Sequence, residues 1–529
     1  MTAEISDYIR RHEAAIAPLY KDYSLKYWDL STNGDPASEK ALVEAKERYV
    51  RVYNNRPEFL QLEQWKAAAQ TLPAIEARQF KLIHDSFVPH QIPEETLVDM
   101  VARETRIENL FNTFRASFEG RNATDNDLRT VLKNERHPAR RRAAWEASKQ
   151  IGREAEQQVL ELVRIRNREA RRLGFEDYHA MMFELQELDR NWVFALFDKL
   201  EEMSEPAYTA MKAELDATLK RENGMEDEPS YPWLYSDPFF QDYPVSTGAS
   251  LDEIYRDADI EGLTRKHFRG IGLDIDDLIA RADLYEREGK SQHAFCLDVD
   301  HSGDVRVLCN VRKDERWMST MLHEFGHAVY DKYNDPACPF LLRAPAHTLT
   351  TEAIAMLNGR MTKDPEWLEK VRGLSRSEAS AAGRTATRAL RSEMLIFLRW
   401  GMVVARFESE LYRDPDQDLN RVWRQYVERI QKVAPAPGRD MPDWAAKSHI
   451  STAPAYYQNY ILGELMASQV LSHIERKVNG APGYVERPET GAFLRKAIFE
   501  PGARYAWNDM LARATGENLN PEHFVRQFV

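Results

Sequence analysis

Through almost all of the first 220 residues, apolar side chains recur at three- and four-residue spacing, with charged residues between them and few glycines. The stretch Gln157-Gln-Val-Leu-Glu-Leu-Val-Arg-Ile-Arg-Asn167 shows the pattern plainly. That period lays one apolar stripe along a helix, whereas a half-buried strand needs alternation at every second residue. The helical texture returns after residue 330 and is broken at Pro435-Ala-Pro-Gly438 and Gly480-Ala-Pro-Gly483. Such a chain folds as a mostly α protein, and 529 residues with 43% hydrophobic content can bury a large core. We expect one unit over 1–529 made of two lobes, about 1–225 and 250–529, with a cleft between them.

Charge and composition narrow the function. The net charge is −13, from 85 acids against 72 bases, which argues against nucleic acid as a partner because phosphate binding needs a basic surface. No run of 18 apolar residues is present, so no membrane span is expected. The opening Met-Thr-Ala-Glu-Ile-Ser-Asp has acids and no apolar core, unlike a secretory signal. Cys296, Cys309 and Cys338 are too few and too odd for a disulfide scaffold, and they point to a reducing, cytoplasmic setting. Nothing in the sequence sets the oligomeric state.

Two segments interrupt the helices. Residues 223–250 interleave Pro229, Pro232, Pro238 and Pro244 with aromatics, which reads as an ordered loop packing its rings, with a substrate-facing loop as the alternative. Residues 293–310 read as a β-hairpin turning at Ser302-Gly303. A two-residue turn there would set Cys296 opposite Cys309. Asp298-x-Asp300-x-Ser302-Gly303 resembles the start of a calcium loop, but its twelfth position is Cys309 instead of a bidentate Glu, which excludes calcium.

The chemistry gathers at Met321-Leu-His-Glu-Phe-Gly-His-Ala-Val-Tyr330. His323 and His327 stand one helical turn apart, so both imidazoles leave the same side of a helix and can share one Zn²⁺, with Glu324 beside the metal as general base. A catalytic zinc site needs a third protein ligand. Glu352, in Thr350-Thr-Glu-Ala-Ile-Ala-Met356, is the preferred one, since 29 residues from His323 leave room for a return helix. Its rivals are His347, in a loop-like stretch, and Asp331, too near in sequence to fold back easily. Lys447-Ser-His449 and the following Tyr456, Tyr457 and Tyr460 supply polar groups able to donate to an oxyanion, with a tyrosine-rich packing surface as the alternative.

Several ordered pieces together resemble the helical gluzincin peptidases, which include the angiotensin-converting-enzyme family and the thimet oligopeptidase and oligoendopeptidase F group. They are the Arg164-Ile-Arg-Asn167…Leu173-Gly-Phe-Glu-Asp-Tyr178 helix, Gln292-His-Ala-Phe295, His323-Glu-Phe-Gly-His327, Thr351-Glu352, Lys447-x-His449 with Tyr460, and Glu500-Pro-Gly…Trp507-Asn-Asp-Met-Leu…Thr515-Gly516. The resemblance implies a two-lobed helical metallopeptidase with a deep central substrate cleft and a small β-sheet beside the zinc helix. It implies one Zn²⁺ per chain on His323, His327 and Glu352, and Glu324 as general base toward a water on the metal. It also implies that Tyr460 and His449 steady the oxyanion and that His293 and Ala294 hold the substrate. Lys447 with Tyr456 or Tyr457 would capture a free C-terminal carboxylate. The implied activity is hydrolysis of short peptides, as a carboxydipeptidase. An oligoendopeptidase without C-terminal preference, a single-residue carboxypeptidase, a biosynthetic amidase for one dedicated substrate and a non-catalytic peptide-binding relative are the alternatives.

Three departures from the angiotensin-converting-enzyme pattern carry consequences. The spacing from His449 to Tyr460 is one residue longer, which leaves Tyr456 and Tyr457 ambiguous. Asn459 stands where chloride-activated members have Arg, so strong chloride activation is not expected. Met356 replaces the Asp that orients the metal ligands, so another group must do so.

Overall fold

The computed structural model describes residues 1–244 and 251–529. Helices dominate, and the strands among the described residues form two antiparallel pairs, β1 (Ala116–Phe118) with β2 (Arg121–Ala123) and β3 (Phe295–Asp298) with β4 (Val305–Leu308). The chain separates into two compact units, each assembled from non-contiguous segments.

The first unit comprises Met1–Gln91, Ala249–Thr387 and Leu462–His523. Its N-terminal helix, Thr2–Asn33, runs along the outer hairpin: Tyr20 Oη donates to the Asp298 carbonyl at 3.0 Å, and the rings of Tyr27 and Trp28 meet Phe295 at 5.3 and 6.1 Å. Behind β3 lies the metal helix, Glu315–Lys332, opened by Asp314, whose carboxylate accepts the Trp317 amide at 2.8 Å. The return helix, Thr348–Gly359, starts at His347, whose Nδ1 accepts the Leu349 amide at 2.9 Å while Thr350 Oγ1 donates to the His347 carbonyl at 2.7 Å. The approach to the hairpin is tied by Lys290, whose fully buried ammonium donates to the Asp283 carbonyl (3.0 Å), the Asp283 carboxylate (2.9 Å), the Tyr285 carbonyl (2.8 Å) and the Cys309 carbonyl (2.5 Å).

The hairpin register differs from the sequence reading. Phe295 pairs with Leu308 and Cys296 with Val307, so Cys296 and Cys309 are not opposite each other, and all three cysteines are free. The turn is centred one residue earlier than Ser302-Gly303. The carboxylates of Asp298 and Asp300 collect the amides of Asp300, His301, Ser302 and Asp304, and His301 adopts φ 49°. Those acids therefore close a wide turn.

The second unit comprises Ile92–Gly248, Arg388–Ile461 and Phe524–Val529. Trp145, Trp233, Tyr235, Phe240 and Ile396 lie in its core. The β1–β2 hairpin here interrupts the stretch read as nearly continuous helix. Its two-residue turn, Glu119-Gly120, has φ 52° and 76°, the both-positive geometry that matches strand twist. Of the proline-rich stretch, residues 245–250 lie outside the described residues. The remainder packs its rings, and the buried Arg141 guanidinium donates to the carbonyls of Trp233, Leu234 and Tyr235 at 2.8, 3.0 and 2.9 Å. No helix among the described residues is long and apolar enough to cross a membrane.

Candidate metal centre

The metal helix and the return helix pack closely where glycine allows it. A Cβ on Gly326 would stand 2.9 Å from Ala355 Cα, a backbone atom that cannot swing aside. Close packing there carries His323 and His327 to the side chain of Glu352. His323 Nε2 lies 3.3 Å from His327 Nε2, and Glu352 Oε2 is 3.7 and 3.9 Å from these two nitrogens. Among the described residues these three form a group whose ligand atoms all fall within 4.8 Å of one another.

Two imidazole nitrogens and a carboxylate oxygen converging in this way suit Zn²⁺ by donor type and by number. Burial holds His323 down to about 4 and His327 to about 3, so both rings are neutral near pH 7 and keep a lone pair for a metal. Burial, with help from the charge of Glu464, raises Glu352, an effect that a bound cation would reverse. The rivals for the third position are occupied elsewhere. His347 caps the return helix, and Asp331, half-buried on the metal helix, meets Cys296 Sγ at 3.9 Å.

Met356 cannot orient an imidazole. Its methyl fills the space left at Gly463, where a Cβ would come within 2.6 Å of Met356 Cε. Thr351 stands in for the missing acid, its Oγ1 lying 2.6 Å from His327 Nδ1, which fixes the ring with Nε2 turned to the ligand group. The sequence reading included Thr351 in the motif but gave it no role. Thr351→Val should weaken zinc binding by about 10–100-fold, read by competition with a chromophoric chelator; unchanged affinity would exclude this role.

Glu324 projects from the metal helix toward β3 and accepts a hydrogen bond from the Cys296 amide. Burial and the nearby Glu352 charge push it up to about 8. His293 is exposed and Ala294 half-buried, immediately before β3, which pairs with β4 and with no further strand among the described residues.

In the second unit the remaining sequence candidates form a cluster of their own. Lys447 Nζ donates to Gln241 Oε1 at 3.0 Å and lies 5.3 to 5.6 Å from the rings of Trp400, Phe239 and Tyr457. It has no carboxylate within ion-pair distance among the described residues, and burial lowers it to about 8. The His449 ring sits edge-on to Tyr457 at 5.4 Å, and burial together with the Lys447 charge lowers it to about 4. Tyr460 contacts Tyr456 and Tyr457 at 5.2 and 5.5 Å, and Tyr457 Oη accepts from Trp400 Nε1 at 3.1 Å. Gln241, in the proline-rich stretch, was missed because an isolated Gln among aromatics gives no signal without its partner lysine.

Residues 279–529 match the model of peptidase family M3, and residues 1–229 match the model of angiotensin-converting enzyme. A 265-residue stretch, 45% of this chain, is 28% identical to "Thermostable carboxypeptidase 1" of Pyrococcus furiosus and covers 52% of that protein. The chain thus spans about half the length of the curated relative it matches. In both halves of its sequence, and in its convergent His-His-Glu group, the chain resembles the gluzincin zinc metallopeptidases of the angiotensin-converting-enzyme and thimet oligopeptidase kind.

Proposed function

We propose that this protein is a zinc-dependent peptidase that hydrolyses short peptides and releases dipeptides from free C-termini. The observation that carries the reading is the convergence of His323, His327 and Glu352 on one point, with the buried Glu324 carboxylate on the same helix as the two histidines. A bound zinc ion supplies Lewis acidity, making water a better nucleophile and polarising the scissile carbonyl. Glu324 takes the proton of the attacking water and delivers it to the leaving amine. Tyr460 and His449 donate to the developing oxyanion, His449 as a neutral imidazole. Ala294 pairs with the substrate backbone at the free edge of β3, and His293 contacts the leaving side. Lys447, with Tyr456 or Tyr457 and with Gln241 beside it, receives the C-terminal carboxylate. A half-buried lysine bonded to an amide oxygen and lying against rings, with no carboxylate within ion-pair distance among the described residues, supports that role.

The Pyrococcus relative's name favours a second reading, release of a single C-terminal residue. One quenched fluorescent peptide, prepared as free acid and as amide, separates the readings when products are identified by mass. Dipeptide release from the acid alone is expected. Single-residue release would make the protein a carboxypeptidase, and equal internal cleavage of both forms would make it an oligoendopeptidase. Absence of cleavage with zinc bound would favour a peptide-binding relative or an enzyme for one dedicated amide.

The anchor has a pH signature. Lys447 is charged below about 8 and neutral above it, so carboxylate capture is present at lower pH and lost as pH rises. For the acid peptide, kcat/KM should fall about tenfold per pH unit above that point, with no matching fall for the amide. Parallel profiles for the two peptides would remove Lys447 as the anchor.

A further inference from the structure

The tyrosine segment carries one residue that ought not to be comfortable. Ala455 is fully buried at φ 53°, a conformation that side chains other than glycine seldom adopt, and it lies just before the helix Tyr457–His473. Both halves of its backbone are held by side chains of the second unit, of which Glu408 and Gln458 are buried. Its amide donates to Glu408 Oε1 at 2.9 Å, and its carbonyl accepts from Gln186 Nε2 at 3.1 Å and from Gln458 Nε2. Gln186 is itself fixed, its Oε1 accepting from Asn459 Nδ2 at 2.7 Å. Upstream, the buried Arg166 donates to the Ser451 carbonyl at 3.0 Å, two residues beyond His449. Glu408 is 1% exposed, a costly place for a carboxyl group, and the Ala455 amide is the hydrogen-bond donor seen on it.

A residue held left-handed just before a helix turns the backbone there, so the side chain that holds it also fixes how the helix begins. We propose that Glu408 is the positioning residue for the tyrosine segment: by accepting the Ala455 amide it locks Ala455 left-handed, and so sets where Tyr456, Tyr457 and Tyr460 point. The inference rests on the proposed function only for its catalytic consequence; the clamp itself is testable without turnover.

The experiment compares Glu408→Gln, Glu408→Leu, Ala455→Gly and the Glu408→Leu/Ala455→Gly double variant, all as full chains. Hydrogen exchange over residues 452–460 and peptidase kcat and KM are read on each. Gln keeps an acceptor oxygen and should match the wild type in both. Leu should speed exchange in this segment and lower kcat by about 10²-fold, with zinc content unchanged. Glycine adopts positive φ freely, so Ala455→Gly should behave as wild type alone and recover much of the loss in the double variant. Wild-type exchange and kcat in Glu408→Leu would overturn the proposal, as would a loss that glycine does not recover, which would make Glu408 a filler of the core. If Glu408→Leu does not fold, Ala455→Val tests the clamp from the other side. A β-branched residue resists positive φ, so faster exchange and lower kcat are expected, and wild-type values would overturn the proposal. If the wild type cleaves no peptide, the peptidase reading falls and the exchange measurements alone decide the role of Glu408.

Discussion

Glu324→Gln should bind about one zinc per chain and lose turnover by about 10²–10⁴-fold. Glutamine has nearly the shape of glutamate, and its amide oxygen can still accept the Cys296 N–H that holds Glu324. The three ligand side chains are untouched, so metal content should not change. Only the capacity to accept a proton is removed. Metal analysis and steady-state kinetics on the same preparation are needed together, because activity lost through zinc loss would mean something different. Wild-type activity in the zinc-loaded variant would remove Glu324 as the base.

Gly326→Val should damage the centre without touching a ligand. Even a Cβ at this position falls 2.9 Å from Ala355 Cα, and valine adds two methyl groups. The metal helix and the return helix must then separate, and Glu352 moves with the return helix. Overpacking of this kind costs about 1–3 kcal/mol and occasionally more. Zinc occupancy well below one per chain, a lowered thermal midpoint and loss of turnover are expected together. Gly326→Ala should show the same changes in weaker form. A valine variant that binds zinc with wild-type affinity would show that the two helices can part without cost to the site.

Much of the fold was legible because helices announce themselves locally. The three- and four-residue spacing over Gln157–Asn167 lies within one helix, Gln150–Arg172. The metal helix was legible for the same reason, since His323 and His327 need only one turn of regular backbone to face the same way. Glu352 required long-range reasoning, and loop length together with the company of Thr350 and Thr351 was enough to prefer it over His347 and Asp331. The β1–β2 hairpin was not legible, because strands of three residues are too short to establish a period. The hairpin register was misread by one turn position because carboxylates of Asp298 and Asp300 choose the turn, and a Ser-Gly pair is a weaker signal than those acids. Thr351, Gln241 and Glu408 carry no assignable role in the sequence because each acquires its meaning from a partner distant in sequence. The threonine needs the imidazole 24 residues away, and the glutamate needs the amide 47 residues away.

Lys290 gives the hairpin a fastening of an unusual kind. A metal ion can gather backbone oxygens from separate loops, and a disulfide can tie such loops covalently. Here one ammonium serves, and it is tied to residues on both sides of the β3–β4 pair. Such a knot is indifferent to reductants and to chelators. The frame that presents Cys296 to Glu324 therefore has a support that does not depend on a metal at His323, His327 and Glu352.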